Sequence, residues 1–362
     1  MLLAACLLSW FASSGPTVAQ GPESARMRFT VPFEGEKCHD AATLAIAVDV
    51  YKQRLGSRSD KANIRADAKR GEISVELPLR SAFDALPLCK LTRELAADSD
   101  VIETDAKDDL PFAGAATIDG EWVGYSAVTG AALSRVHRGN WGTKASAHAA
   151  GSSVEIFAID AMAVLLFARG ELAFLQVAKA DYLSAQGTSF GAEQERLHSW
   201  IALHEGARLS DFDGVGREKG GPLSGTVWRR QRADFVHAQD ASQESLLMLP
   251  ADEHTRFVGS DMARFDPCVD QFGYPAISFD LKSQRATEFA DWTARIIGCG
   301  MAVVLDDEIL VQATVNSRLA GAGIIEGGSG GFTKSEVASL LRLLRAPALP
   351  LRPGRGKTEL VR

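Results

Sequence analysis

Short strand patterns and amphipathic helix patterns alternate in the last third of the chain, with almost no residues between them. Apolar residues recur at helical spacing over 284–297 and 334–345, whereas 276–281, 301–305 and 309–315 read as strands. These strands are short, bounded by turns and often alternating, unlike the continuous apolar runs of a buried parallel sheet. The pattern therefore predicts an α+β fold of antiparallel sheets with helices on one face.

Two segments of the N-terminal half show the same order of helix, glycine and hairpin. The predicted elements are a helix over 42–55, Gly56 and strands over 62–66 and 72–77 in the first segment, and a helix over 128–138, Gly139 and strands over 144–148 and 153–159 in the second. A helix over 161–168 and a strand over 172–178 follow. The interval between the segments is longer than a solenoid repeat, so we expect a duplicated, ferredoxin-like pair of α+β units.

Composition and charge narrow the possible classes of function. The chain has 362 residues, of which 46% are hydrophobic and 23% are charged, enough for two or three packed units. The formal net charge of −7 argues against a nucleic-acid-binding surface, which is typically basic. We therefore expect no nucleic-acid partner and interpret the acidic balance as a contribution to solubility.

Residues 1–20 are apolar at first and then small and turn-forming, which is typical of a secretory signal peptide or an N-terminal anchor. No lysine or arginine precedes Arg26, so the usual basic start of a leader is missing. Beyond residue 20, no apolar run approaches the roughly 20 residues that a membrane-spanning helix needs. We expect a periplasmic or otherwise extracytoplasmic chain, soluble or N-terminally anchored, with membrane contact at most through the N-terminal segment.

Four cysteines follow residue 20: Cys38, Cys89, Cys268 and Cys299. An even number in an exported chain suggests disulfide bonds, and four cysteines allow three connectivities. We favour Cys38–Cys89 and Cys268–Cys299, because the members of each pair are close in sequence; four buried free thiols are the alternative. The chain has no CxxC motif and no histidine–cysteine cluster, so we expect no metal site and no cofactor.

Residues 327–331 read Gly-Gly-Ser-Gly-Gly and formally satisfy the GxSxG pattern of a hydrolase nucleophile, with Ser329 at the centre. A nucleophile elbow needs a strand directly before the serine and a helix directly after it. Glycines flank Ser329 on both sides, which favours a flexible loop. We therefore expect no catalytic residue, and a hydrolase that uses Ser329 is the alternative.

Several segments together resemble the first periplasmic domain of SecD, the accessory subunit of the bacterial preprotein translocase. Each is similar to a strand, hairpin, loop or helix that occurs in the same order in that family. The segments are the helix and hairpin of 47–78, the strand-rich stretch 153–178, the strand 274–279 (YPAISF), the hairpin start 302–306 (AVVLD), the glycine loop 327–333 and the segment 346–350 (APALP).

The resemblance implies a base subdomain and a head subdomain, with a C-terminal strand that returns to the base. The expected base covers 26–182 together with 349–361 and contains the two related α+β units. A helix and a linker cover 183–225, where the stretch DFDGVGREKGGPLSG is polar and rich in glycine. The expected head covers 226–345.

The resemblance also implies a non-enzymatic domain that binds unfolded or translocating polypeptide and assists protein export. Strand addition at an exposed sheet edge would bind such a chain through main-chain hydrogen bonds, without demanding a particular sequence. Apolar and glycine residues of the head would contact the bound polypeptide, namely Phe257, Phe272, Leu319, Phe332, Gly327, Gly328 and Gly330. The expected partners are unfolded preprotein or components of the Sec translocon. The alternative is a structural or assembly domain that binds a folded envelope partner.

Overall fold

The computed structural model describes residues 26–361 except 83, 86–87, 108–109, 111–113, 159–161, 163–164, 180, 182, 185–186, 205–208, 232–245, 251–256, 307 and 328–331. The chain divides into two compact units. The first unit comprises the residues up to Arg169 together with those from Leu349 onwards, and the second unit comprises Gly170–Ala348. The expected signal peptide or anchor at 1–20 lies outside the described residues.

The helices of the described residues are α1 (Ala41–Leu55), α2 (Phe190–Leu203), α3 (Leu209–Asp213), α4 (Ser283–Arg295) and α5 (Lys334–Arg345). Single 3-10 turns occur at Glu36–His39, Gly56–Lys61, Leu79–Ser81, Arg217–Lys219 and Gly259–Asp261. The strands of the first unit are β1 (Arg26–Glu34), β2 (Asn63–Asp67), β3 (Glu72–Pro78), β4 (Asp84–Ala85), β5 (Cys89–Lys90), β6 (Val101–Glu103), β7 (Gly114–Ile118), β8 (Glu121–Tyr125), β9 (Ala127–Thr129), β10 (Ala132–Ser134), β11 (His137–Asn140), β12 (Ser153–Ala158), β22 (Arg352–Pro353) and β23 (Lys357–Val361). Those of the second unit are β13 (Leu172–Val177), β14 (Thr226–Gln231), β15 (Leu246–Pro250), β16 (Phe257–Val258), β17 (Met262–Val269), β18 (Pro275–Leu281), β19 (Gly300–Leu305), β20 (Glu308–Thr314) and β21 (Ala322–Ile325).

The first sheet joins both ends of the described chain. Its order is β2-β3-β1-β22, and β23 also pairs with β1, always antiparallel. Strand β1 alternates strictly, with Met27, Phe29, Val31 and Phe33 buried and the residues between them partly exposed. This period of two gives the sheet one core face, which helix α1 covers by packing on β2 and β3.

Helix α1 forms because its N-terminus is capped and one of its sides is apolar. The Asp40 carboxylate accepts a hydrogen bond from the Thr43 backbone N–H at 3.0 Å. Leu44, Ala47 and Tyr51 recur at helical spacing and are fully buried. Gly56 follows the helix with a φ of 56°, a conformation that a residue without a Cβ adopts easily.

A second sheet in the first unit has the order β11-β8-β7-β12-β4, with β5 also pairing with β12, and a third has the order β6-β10-β9. The prediction of a helix over 128–138 is wrong, because these residues lie in β9, β10 and β11. Gly130, Arg135 and Gly139 all have positive φ, which no right-handed helix contains. In the described residues, the second segment therefore has strands where the expected duplication places a helix.

The second unit contains a six-stranded sheet of order β15-β14-β20-β19-β13-β16 and a three-stranded sheet of order β17-β18-β21. All their pairs are antiparallel apart from β14 with β20. Helix α4 begins and ends within two residues of the predicted helix, and its buried face enters an aromatic cluster. The cluster contains Phe174, Phe257, Phe279, Phe289 and Trp292, with neighbouring ring centroids 4.9–6.3 Å apart.

The fold is α+β, and its sheets are almost entirely antiparallel, as the sequence predicts. Helix α5 packs on β17 and β18. Thr333 and Glu336 form a reciprocal capping box at the start of α5. We call the three-stranded sheet β17-β18-β21 the hairpin sheet, because it is built on the β17–β18 hairpin.

Candidate functional site

The turn between β17 and β18 presents apolar side chains to solvent. Val269, Phe272 and Tyr274 are 62%, 74% and 48% exposed, and we call these three residues the apolar tip. Large apolar residues that lie together on a surface are typical of interaction sites. The apolar tip is therefore the candidate functional site of the second unit.

Asp270 holds the apolar tip in a defined conformation. One oxygen of its carboxylate accepts hydrogen bonds from the backbone N–H groups of Phe272, at 2.8 Å, and Tyr274, at 2.9 Å. The Asp270 N–H donates to the Tyr274 carbonyl at 2.9 Å, and Gly273 supplies a φ of 87°. Because the turn is fixed by these bonds, a partner that binds the exposed rings finds them already ordered.

One face of the hairpin sheet, which carries Asp266, Ser278 and Ile324, mixes polar and apolar side chains. Ile324 of β21 is 49% exposed and lies opposite Ser278 of β18, which in turn lies opposite Asp266 of β17. Burial raises the pKa of the Cys268 thiol, and the nearby Asp270 and Glu326 carboxylates act in the same direction. This face of the hairpin sheet is therefore acidic at its end near the apolar tip.

Two of the predicted contact residues, Phe257 and Phe332, are buried and do not lie at the surface. Phe257 is fully buried in the aromatic cluster, where its ring centroid is 4.9 Å from that of Phe289, and Phe332 is only 5% exposed. Both rings pack in the core, where removing their apolar area from water stabilises the fold. Phe272 alone of the predicted aromatic contacts is strongly exposed.

The remaining predicted positions flank β21 in sequence, with Leu319 before it and the glycines after it. Leu319 is half-buried, and its backbone N–H donates to the Thr293 hydroxyl at 3.0 Å. Gly327 is half-buried, whereas Gly328, Gly330 and Ser329 lie outside the described residues. Tyr274, Val269 and Ile324 belong to the exposed apolar surface but were missed, because a strand pattern alone does not show which apolar residues remain uncovered.

The predicted disulfide bonds are absent: Cys38, Cys89, Cys268 and Cys299 are free thiols. Cys89 lies in β5 of the second sheet, whereas Cys38 lies in a turn beside Gly71 of the first. Cys268 lies in β17 of the hairpin sheet, whereas Cys299 precedes β19 of the six-stranded sheet. The members of each pair are close in sequence but belong to different sheets, so closeness along the chain does not bring the sulfur atoms together.

The first unit contains a buried ionic network that sequence reasoning did not find. Arg138 and Glu121, with side chains 7% and 2% exposed, form a two-pronged pair with both N···O distances at 2.8 Å. His148 lies between Glu121 and Asp119, 2.9 Å from a carboxylate oxygen of each. The Asp119-Gly120 dipeptide between alternating residues is the sequence signal that indicates the β7–β8 hairpin on which both carboxylates lie.

Hydrogen bonds determine the ionisation of Glu121. Burial acts to raise the pKa of this carboxyl, but hydrogen bonds from Arg138, His148 and the backbone N–H groups of Ser146 and Gly139 lower it to about 2. The Glu121 carboxylate and the His148 ring are buried among these protein groups, whereas the Asp119 carboxylate is 55% exposed. We interpret the network as a structural link between the β7–β8 hairpin and the segment 138–148.

Within the part of the chain that the structure describes, no group of three or more histidine, cysteine, aspartate or glutamate residues has the arrangement of a metal site. In the same residues, no helix is long and apolar enough to cross a membrane.

Residues 235–351 match the family model for the "SecDF, P1 head subdomain". The protein translocase subunit SecD of Rhodobacter capsulatus is 38% identical over 112 residues, which cover 31% of this chain and 20% of that protein. The SecD subunit of Leptotrichia buccalis is 41% identical over 83 residues, which cover 23% of this chain and 20% of that protein. The chain thus spans about a fifth of the length of these relatives.

A solved structure of SecDF, described as a membrane component that enhances protein export, aligns with 93% of this chain and 99% of that chain at 16% identity and a TM-score of 0.42. This structural likeness is weak, so the similarity to SecD rests on the sequence matches alone. The match over 235–351 contains the hairpin sheet, the apolar tip and helix α5. Residues 235–351 of the second unit are therefore similar to the SecDF P1 head subdomain, and over this part the chain is similar to SecD subunits.

Proposed function

We propose that the second unit binds unfolded polypeptide through the apolar tip and that the chain assists protein translocation without enzymatic activity. The relatives named protein translocase subunit SecD support a role in translocation, because the match covers the head subdomain that carries the tip. The proposed partners are unfolded preprotein and components of the Sec translocon, outside the cytoplasm.

The exposure of the Phe272 side chain is the main support for this proposal. An aromatic ring that is 74% exposed keeps most of its apolar area in contact with water in the free chain. Burying such a side chain in a complex contributes about 1.5–3 kcal/mol. Unfolded chains expose apolar side chains that a folded protein hides, so a surface of this type favours unfolded over folded partners.

The test is a binding measurement on the full chain with a permanently unfolded, carboxymethylated model protein and with the same protein in its native form. We expect binding of the unfolded form only. Phe272→Ser should weaken that binding by about tenfold, since Phe272 is the most exposed residue of the tip.

Ile46→Ser is the matched control, because Ile46 of α1 is 57% exposed but lies in the first unit. We expect this variant to bind like the unchanged chain. Equal binding of folded and unfolded proteins, or an equal loss in both variants, would contradict the proposal. Strong binding to one folded envelope protein, with no preference for unfolded chains, would instead support an assembly role.

A further inference from the structure

The two outer strands of the hairpin sheet, β17 and β21, each have backbone N–H and C=O groups that face away from the sheet, and they differ in whether these groups are blocked. In β18 and β21, the Leu281 N–H donates to the Gly321 carbonyl at 2.8 Å, and the register continues through Phe279 opposite Gly323. Hydrogen-bonded pairs alternate along an antiparallel ladder. Gly323 and Ile325 therefore bond to β18, whereas the N–H and C=O groups of Ala322 and Ile324 point away from the sheet.

The same alternation determines the outer edge of β17. The Asp270 N–H donates to the Tyr274 carbonyl at 2.9 Å, and the register runs without a shift through Cys268 opposite Ala276. Cys268 therefore faces β18, whereas Phe265 and Pro267 face outward. Each strand thus presents alternate residues to a possible fourth strand.

The outer edge of β17 is blocked at both of these positions. The Arg345 guanidinium donates to the Phe265 carbonyl from Nε at 2.9 Å and from Nη2 at 2.8 Å. Pro267 has no N–H to offer to a neighbouring strand. An added strand would have to displace the arginine and would still lack one hydrogen bond, which is a common protection of sheet edges.

The outer edge of β21 carries no such protection among the described residues. Ala322 is exposed, Ile324 is 49% exposed, and no hydrogen bond from the described part of the chain reaches their outward N–H and C=O groups. These two residues offer two donors and two acceptors in a row, spaced as in a strand. An extended main chain supplies the complementary groups at the same spacing.

The charges near this edge indicate what the added strand contains. Glu326 follows β21 directly, and no ion pair in the described residues reaches its carboxylate. The Glu326 and Asp270 carboxylates both act on the Cys268 thiol, which places two negative charges near the end of the hairpin sheet that carries the apolar tip. A lysine or arginine in the bound segment would pair with this end, and an apolar residue would pack on Ile324.

We propose that an extended polypeptide segment with alternating apolar residues and a basic residue binds as a fourth strand to the outer edge of β21. The site deepens the proposed function, on which it rests, by assigning the main-chain contacts of the bound polypeptide to one edge of the hairpin sheet. The apolar tip lies at the β17–β18 end of the same sheet and would bind side chains of the same polypeptide.

The test measures fluorescence anisotropy of a labelled, unstructured peptide of alternating valine and serine with one lysine, added to the full chain. Ile324→Pro removes one outward N–H without touching the β18 ladder, whereas the matched Ile324→Thr keeps this N–H. We expect the proline variant to bind about tenfold more weakly than the threonine variant. Circular dichroism checks that both variants fold.

Peptides methylated at alternate backbone nitrogens test the same edge on the unchanged chain, in case the proline variant does not fold. Methylation of the residues whose N–H groups face β21 should abolish binding, whereas methylation of the other set should leave it nearly unchanged. Equal effects of the two sets, or of the two Ile324 variants, would overturn the proposal.

The two proposals fail in different ways. If the unchanged chain binds the peptide and loses binding only with Phe272→Ser, the β21 edge is not the site and the proposed function remains. If the unchanged chain binds no unfolded polypeptide, both are overturned. A dimer of the unliganded chain that Ile324→Pro dissolves, without peptide binding, would assign the edge to a second copy and overturn this proposal.

Discussion

At the scale of single residues, the buried Glu121 carboxylate should contribute strongly to the stability of the first unit. Its carboxylate is the partner of the buried Arg138 guanidinium, and it also faces His148. Glu121→Gln would leave the arginine buried without its counter-charge, a change that typically costs 3–5 kcal/mol, so we expect a loss of about this size in urea unfolding at neutral pH. Asp119→Asn is the control, because Asp119 is 55% exposed and should cost at most about 1 kcal/mol.

The low pKa of Glu121 also predicts a pH dependence of stability. The folded pKa of about 2 lies below the ordinary value of 4.5, so the ionised form is favoured by folding. The stabilisation is fully present above about pH 4.5 and is lost as the pH falls towards 2. Urea unfolding at several acidic pH values should show this loss in the unchanged chain and a flatter profile in Glu121→Gln. An identical acid profile in both would show that other carboxyls dominate.

At the scale of elements, the sequence predicted α1, α4 and α5 and the strands β18, β19 and β20, because each has a clear period and a turn or cap at its ends. The helix prediction for 128–138 was wrong for a physical reason. Its apolar residues Val128 and Leu133 pack on the core of the second sheet, and positive φ at Gly130 and Arg135 redirects the chain between them. These contacts depend on residues distant in sequence, which local periodicity does not report.

The candidate site was only partly predictable for the same reason. The sequence shows that Phe257, Phe272 and Phe332 are apolar, but exposure depends on which elements pack against each ring. Phe257 is covered by α4, whereas Phe272 lies in a turn that no described helix covers. The outward direction of Ile324 depends on the strand register, which only the three-dimensional pairing reveals.

Strand β21 is positioned by a close approach between Gly323 and the ring opposite it. A Cβ at Gly323 would lie 2.8 Å from two ring atoms of Phe279. Gly323→Ala should therefore displace Phe279 or the strand and destabilise the second unit by about 1–3 kcal/mol in thermal unfolding.

Gly191→Ala is the matched control for this change. Gly191 lies in α2, and a Cβ there meets no atom within 4 Å. We expect that variant to be unchanged or slightly more stable, because alanine favours a helix over glycine. A Gly323→Ala variant as stable as Gly191→Ala would mean that β21 does not lie against Phe279.

At the scale of the whole molecule, the second unit is an insertion in the chain of the first. Strand β23 follows the second unit in sequence but pairs with β1 from Arg26↔Val361 to Thr30↔Lys357. The two ends of the interruption meet within the first unit, where the Leu349 N–H donates to the Arg169 carbonyl at 2.8 Å. The Arg169 side chain also donates to the Leu349 carbonyl at 3.3 Å.

A short linker should therefore replace residues 170–348 without unfolding the first unit. The contact between Arg169 and Leu349 means that a few glycine and serine residues can close the gap, and closing so short a loop costs little chain entropy. We expect the shortened chain to unfold cooperatively and to show slow hydrogen exchange of the β1 amides that face β23. A further variant that also ends before Lys357 is the control. It should lose the protection of these amides because β1 then lacks its β23 neighbour along Arg26–Thr30, whereas the amides that face β3 stay paired. Fast exchange of β1 in both variants would mean that the first unit depends on the second for its stability.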